Sequence, residues 1–304
     1  MIKRSMKTQV LEALKYFRIV YLQGARQVGK STLVKEIKNE IPNSMYVTLD
    51  DPEELERANS DPKFFINQNP EGLLIIDEVQ LAPDLWRIMK MKVDDDNRPG
   101  QLLLTLSSYK APDSLAGRVV RLTLDPLSES EINNSEPKLE NLLESNDADF
   151  RDILEYKSAF KQQDYFFPMV RGGYPEVVTA NNFTAAQVNL ISYLESLIEK
   201  DQETFASYKP KEQLIKALNL LAVGTGQEFV KANCARDMDI SMPAAAEYLD
   251  VFSNLFLVYS LPAWSTNDIN RVIKKAKIVF NDSGLVSAIE NMTPERLEAD
   301  RAKH

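Results

Sequence analysis

GARQVGKST, residues 24–32, lies between the apolar run FRIVYLQ (17–23) and the helix-like LVKEIKNEI (33–41), so glycines, a lysine and a hydroxyl pair stand where a strand gives way to a helix. Gly24, Gly29, Lys30 and Ser31 fit the pattern G-x-x-x-x-G-K-[ST]. Glycines there let consecutive backbone N–H groups curl round phosphate oxygens that side chains would keep at a distance. A helix beginning near Lys30 adds its positive end. The stretch therefore predicts a loop of Gly24, Ala25, Arg26, Gln27, Val28, Gly29, Lys30, Ser31 and Thr32 that holds the phosphates of a nucleotide. Lys30 is expected to reach the β and γ phosphates, and the Ser31 hydroxyl to take a place on Mg2+.

Working outward, short apolar runs alternate with helix-like segments up to about residue 130: RIVYLQ, SMYVTLD, GLLIIDEV, QLLLTLSS and VVRLTLDPL are the strand candidates. Runs that are apolar throughout are the mark of parallel strands covered on both faces, so this region is expected to be a doubly wound α/β layer with a five-stranded parallel sheet. From about residue 150 the pattern is mainly helical, with LFLVYSLP and AKIVFND the strand-like exceptions. The expected domains are 1–130 as the phosphate-loop core, 131–205 as a helical lid or connector, and 206–304 as a C-terminal domain.

GLLIIDEV ends in two adjacent carboxylates, Asp77 and Glu78, the first of them 47 positions after Lys30. An acid at the carboxyl end of a strand beside a phosphate loop is placed for a Mg2+ contact. Asp77 is the metal-side candidate, and Glu78 the group expected to polarise an attacking water, which would make the chain a hydrolase. In isolation the same pair also reads as a strand ending in a solvated acidic turn. Thr105, Ser107 and Ser108 close another buried strand, where a hydroxyl either senses the γ-phosphate or caps a helix. Arg118, with Arg121 as its competitor, is the candidate arginine for a phosphoryl transition state, the alternative being an ordinary surface arginine.

Composition removes other chemistries. The 304 residues hold one cysteine, Cys234, and one histidine, His304. Ser-His-Asp and Cys-His sites, zinc sites and a disulfide framework would all need more. No stretch approaches the roughly 18 apolar residues of a membrane span, and the N-terminus lacks an apolar signal core, so a cytoplasmic protein with no membrane contact is expected. Net charge is −9. Residues 131–205 carry 14 acids against 6 bases and so hold most of the excess, which reads as solvated helix faces and not as a phosphate-binding surface.

In order along the chain, GARQVGKSTL, IIDEVQLAPDLW, RPGQLLLTLSS, DSLAGR, RGGYPE, YLESLIEKD, SMPAAAEYLD, FLVYSLPAWSTN and KIVFNDSGL resemble a large group of uncharacterised prokaryotic AAA-type ATPases. The resemblance spans nearly the whole chain. It implies Mg-ATP as ligand, a helical lid, a winged-helix-like unit, Ser107 or Ser108 as the first sensor and Arg118 as a finger. It also implies that Arg171, Gly172, Gly173 and Pro175 form a lid turn facing the nucleotide, whereas the residues alone read as a tight turn. Leu106 departs from the group, which commonly has glycine there. The group usually continues past NDSGL into a nuclease-like region, whereas this sequence ends within about 20 residues, so no nuclease activity is expected.

A winged-helix-like unit suggests DNA. Its expected recognition helix, Met242–Asn254, contains no Lys or Arg and carries Glu247 and Asp250, although base contacts come mostly from Arg, Lys, Asn and Gln. A protein partner or self-association is therefore the preferred expectation. DNA stays possible only through the basic group Arg271, Lys274, Lys275 and Lys277. The main expectation is a Mg-dependent ATPase moving lid against core, the alternative a nucleotide-gated binding module with negligible turnover.

Overall fold

The computed structural model describes residues 2–107, 117–136, 160–180, 182–201, 210–264 and 275–301, together with Leu115 and Arg151. These fall into two compact units, one of Arg4–Asp125 with Asp250–Val258, the other of Pro126–Leu249 with Tyr259–His304 and Met1–Lys3.

The first unit is a five-stranded parallel sheet in the order β2-β3-β4-β1-β5. Its strands are β1 (Ile19–Gln23), β2 (Ser44–Thr48), β3 (Leu73–Asp77), β4 (Leu102–Leu106) and β5 (Val119–Thr123). The three central strands are buried at every position, as unbroken apolar runs require, while the edge strands β2 and β5 are mostly half-buried. Helices α1 (Met6–Tyr16), α2 (Lys30–Glu40), α3 (Pro52–Ser60), α4 (Pro62–Ile66) and α5 (Leu85–Asp95) complete the layers. Helix α2 buries Leu33, Val34 and Ile37 at helical spacing. Phe65, Trp86, Met89 and Val93 from α4 and α5 close over Tyr21, Leu74, Ile76 and Leu104, and the Tyr21 and Trp86 rings meet edge-on at 5.6 Å. Because all strands are parallel, the loops leaving β1, β2, β3 and β4 emerge on one edge of the sheet.

The second unit is mainly helical: α6 (Glu129–Ile132), α7 (Phe166–Arg171), α8 (Pro175–Val178), α9 (Phe183–Asp201), α10 (Lys211–Val223), α11 (Lys231–Met238), α12 (Met242–Asn254, whose last residues fall in the first unit), α13 (Ser283–Ile289) and α14 (Pro294–Arg301). Strands β6 (Val258–Leu261) and β7 (Lys277–Phe280) pair with each other. A further extended piece joins them. Gly226 N–H donates to Ile278 O (2.7 Å), Ile278 N–H to Gln227 O (3.1 Å) and Phe229 N–H to Ala276 O (3.1 Å), with Glu228 bridged antiparallel to Lys277. The local order is thus helix, extended segment, helix, helix, strand, strand.

The turn RGGYPE, between α7 and α8, has a specific internal reason for its glycines. Gly172 has φ +75°, and a Cβ there would lie 2.3 Å from Asp282 Oδ1; one at Gly173 would lie 2.0 Å from Leu127 O. Leu127 N–H donates to Gly173 O at 2.7 Å. Asp282, only 5% exposed, accepts from Gly173 N–H (2.7 Å) and from Leu285 N–H (3.1 Å), the latter capping α13. Burial pushes its carboxyl pKa up, against the pull of these backbone donors.

Candidate functional site

The edge where β1, β2, β3 and β4 end collects the candidate residues of the first unit. After Gln23 the chain turns at Gly24 (φ +155°), where a Cβ would lie 2.2 Å from Leu124 O. It then passes through two left-handed residues, Gln27 (φ +63°) and Gly29 (φ +99°), the second of them the N-cap of α2. At position 24 only glycine fits. The helix N-terminus follows directly, with no acid in its first turn. Ala25 and Val28 are buried, Arg26 and Ser31 half-buried, Gln27 and Thr32 exposed. Arg4 pins the loop from outside, its guanidinium donating to Val28 O (2.7 Å) and Asp125 O (2.5 Å); nothing in the motif points to this residue.

Lys30 is 4% exposed, and its Nζ donates to Gly24 O and Ala25 O, each at 2.9 Å. Desolvation lowers its pKa to about 8, while Glu78 and then Asp77 pull it upward. The ammonium thus lies inside its own loop with both acids of β3 in its field.

Asp77, the last residue of β3, is 2% exposed. Its Oδ1 accepts from Thr105 Oγ1, and its Oδ2 from Tyr46 OH at 2.8 Å. Burial, and then the bond to Asp77, push the Tyr46 phenol up. Thr105 Oγ1 also accepts from Glu78 N–H at 2.9 Å. With its donor on one acid and its acceptor on the next, this hydroxyl clamps the end of β3 and does not serve as a free phosphate sensor. Glu78 does not continue the strand by alternation. It takes a left-handed conformation (φ +56°, ψ +45°), which costs a non-glycine residue energy and recurs at functional sites. Its carboxylate accepts from Ser107 Oγ at 2.7 and 2.9 Å and from Gln80 Nε2. Ser107, 3% exposed, is therefore turned to Glu78; Ser108 lies outside the described residues. Leu106, where glycine was the expected type, is 1% exposed as the last residue of β4, its carbonyl accepting from Gly24 N–H at 3.3 Å. The core absorbs the larger side chain without moving the strand end from the loop.

Asp50, just past the end of β2, is a further acid that sequence reasoning passed over. Burial, then Glu78 and Asp77, raise its pKa. The signal was available, since VTLDD is also an apolar strand running into carboxylates.

Arg118 is not brought to this edge. It precedes β5, whose first residue, Val119, pairs with Ile19 at the start of β1, so it sits about 16 Å down the sheet from the end of β1, where the loop begins, at roughly 3.3 Å per residue. Its guanidinium grips Asp94, Nη2 to Oδ2 at 3.1 Å and Nε to Oδ1. The expectation that Arg118 acts as a finger is therefore not met within one chain, because parallel strands put its end of β5 on the opposite edge. Arg121, opposite Tyr21 in mid-strand, is exposed.

Arg171 belongs to the second unit. There it pairs with Glu129, donates Nε–H to Gly172 O at 3.0 Å and lies 5.8 Å from the Phe167 ring. In the same unit α12 has no basic residue in its last turn and exposes Glu247 and Asp250. Lys275 and Lys277 are exposed, while Arg271 and Lys274 lie outside the described residues.

The residues present suit a nucleotide polyphosphate and Mg2+: a loop with left-handed residues at Gln27 and Gly29 that runs into the N-terminus of α2, a buried ammonium with two acids in its field, and a hydroxyl at the start of that helix. Among the described residues no helix is long and apolar enough to cross a membrane.

Comparison with known proteins agrees with this geometry. Residues 16–133 match the family model of an AAA domain, and residues 162–296 that of a domain of unknown function (DUF8612). Uncharacterised proteins of Mycobacterium tuberculosis and Mycobacterium bovis are 26% identical over 304 residues, covering 98% of this chain. The chain spans only 62% of the length of these curated relatives. Among solved structures, a Walker-type ATPase of Pyrococcus abyssi superposes with a TM-score of 0.55 at 14% identity, over 95% of this chain and 96% of that one. At that identity the likeness speaks for the fold.

Proposed function

We propose that the chain, whose residues 16–133 match the family model of an AAA domain, binds Mg-ATP at the loop 24–32 and hydrolyses it, using the nucleotide state to move a partner. The observation that carries this reading is the convergence of Lys30, Asp77 and Glu78 on one sheet edge, the two acids joined through the Thr105 hydroxyl of β4. Backbone N–H groups of residues 24–32 cradle the phosphates. Lys30 exchanges its bonds to Gly24 O and Ala25 O for phosphate oxygens. Ser31 and Asp77 hold Mg2+, with Asp77 oriented by Thr105 and Tyr46. The metal, when bound, draws charge from the phosphate oxygens. Glu78 orients a water and takes its proton.

Lys30→Ala is expected to weaken ATP binding about 10- to 100-fold, the scale of losing charge-assisted bonds to phosphate. Equilibrium titration with a fluorescent ATP analogue measures it. An unchanged affinity would place the nucleotide elsewhere.

In this reading, residues 131–205 act as a lid, with Arg171 offered to the nucleotide, and residues 206–304 as a winged-helix-like unit. Arg118 would serve a site only on a second copy of the chain. The preferred partner is a protein. Binding to duplex DNA at low salt is expected to be weak and to vanish when Lys275 and Lys277 become Ala, because α12 presents acids where phosphates would lie. Tight, sequence-dependent binding in a mobility-shift assay would reverse that preference.

One observation favours the second reading, a nucleotide-gated binding module of negligible turnover: the Glu78 carboxylate already holds Ser107 and Gln80. Steady-state phosphate release from the unaltered chain, measured with and without DNA while light scattering follows its size, separates the two.

A further inference from the structure

The short 3-10 turn Val79–Leu81 follows Glu78 directly and carries a residue to which no role has yet been given. Gln80 lies two positions beyond Glu78, and the left-handed backbone at Glu78 folds the chain so that the Gln80 amide reaches back to the carboxylate and donates Nε2–H to Oε2. Turned round, the amide would set its oxygen against a carboxylate oxygen, with no donor between them. Among the described residues its Oε1 is buried without a hydrogen-bond partner. A glutamine that leaves its own carbonyl unsatisfied, at a cost in stability, is held there by what its N–H does. The same carboxylate is held by Ser107, whose hydroxyl reaches both oxygens (2.7 and 2.9 Å) from just past the end of β4. The carboxylate is thus fixed by one donor next to the buried strand β4 and one on its own turn.

We propose that Gln80 is a positioning residue, whose side-chain N–H sets the plane of the Glu78 carboxylate and so the direction in which Glu78 meets a water. The inference rests on the hydrolytic reading above. Gln80 acts through Glu78, the side chain its amide bonds. Removing its donor leaves Glu78 free to rotate about its last side-chain bond while loop 24–32 stays intact.

The test uses the full chain with Gln80→Leu and Gln80→Glu. Gln80→Leu removes the donor and the unsatisfied carbonyl together, so its melting temperature is expected to be no lower than that of the unaltered chain. Its kcat is expected to fall roughly 10- to 100-fold, the range seen when a supporting hydrogen bond is lost, with KM and analogue affinity unchanged. Gln80→Glu, which sets a second carboxylate against the first, should fall further. A second readout needs no turnover. The Gln80 side-chain amide, assigned in a 15N-edited NMR spectrum by its loss in Gln80→Leu, should carry one downfield, slowly exchanging proton that moves upfield in Glu78→Ala. An amide signal indifferent to Glu78→Ala overturns the inference, as does a Gln80→Leu protein with full kcat. If the unaltered chain shows no hydrolysis that Glu78→Gln abolishes, the hydrolytic reading fails by itself, and the amide signal still decides whether Gln80 holds Glu78.

Discussion

Glu78→Gln is expected to lower phosphate release about 10²- to 10³-fold while nucleotide affinity stays within about threefold, because a general base supplies a factor of that order and takes no part in cradling the phosphates. The amide has the shape of the carboxylate but cannot accept a proton. It also preserves the surroundings. Ser107 still finds an oxygen, and the Gln80 amide can turn so that its buried, unpartnered Oε1 accepts from the new amide. The loss should therefore appear in kcat and not in stability. Phosphate release and analogue binding, run side by side with Lys30→Ala, separate the terms: Lys30→Ala loses affinity and Glu78→Gln loses turnover. Equal turnover in Glu78→Gln and the unaltered chain would assign any activity to a contaminant and remove Glu78 from the mechanism.

Asp282→Ala is expected to destabilise the second unit by about 2–4 kcal/mol, since two buried N–H groups lose their acceptor and each orphaned donor costs roughly 1–3 kcal/mol. Those donors are Gly173 and Leu285, so the loss should concentrate in the turn 171–175 and the start of α13. Asp282→Asn keeps one acceptor and should lose about half as much. A chain of two units need not unfold in one step, so hydrogen exchange of these amides is a better probe than one melting curve. Protection unchanged at Gly173 would contradict the account. The sign of the pH effect is also determined. Burial raises the folded-state pKa of Asp282 above 3.8, so folding takes up a proton between those two values. The contribution is largest below 3.8 and declines as pH rises through the folded pKa. Asp282→Asn should flatten that slope.

Both predictions show where the sequence was legible. Strands β1 to β5 could be read because parallel strands buried on both faces are written as unbroken apolar runs, and the loop because its chemistry restricts nearly every position. Strand order could not. Nothing in QLLLTLSS says that β4 lies between β1 and β3, and without that order Thr105 reads as a sensor when its hydroxyl in fact ties Asp77 to the backbone of Glu78. The place of Arg118 could not be read either, since nothing in a one-dimensional pattern says that the start of β5 lies beside the start of β1 and away from the loop. Gly172 and Gly173 looked like a turn made for a ligand, yet the atoms that exclude a side chain there belong to Leu127 and Asp282, the latter 109 residues from Gly173. The extended segment 226–229 was invisible because GTGQEFV is short and polar, and only its pairing with β7 makes it strand-like.

The position of β4 also bears on time. Flanked by β1 and β3 and buried along all five residues, it has the features of a segment whose amides exchange only when the whole unit opens. Thr105 and the strand-end Ser107 therefore tie the two acids to the part of the unit that fluctuates least. Rearrangement of Glu78 is then a matter of its carboxylate letting go of Ser107 and Gln80 against a still background, and not of loop motion, so the orientation of this carboxylate should survive warming that already frays the edge strands β2 and β5.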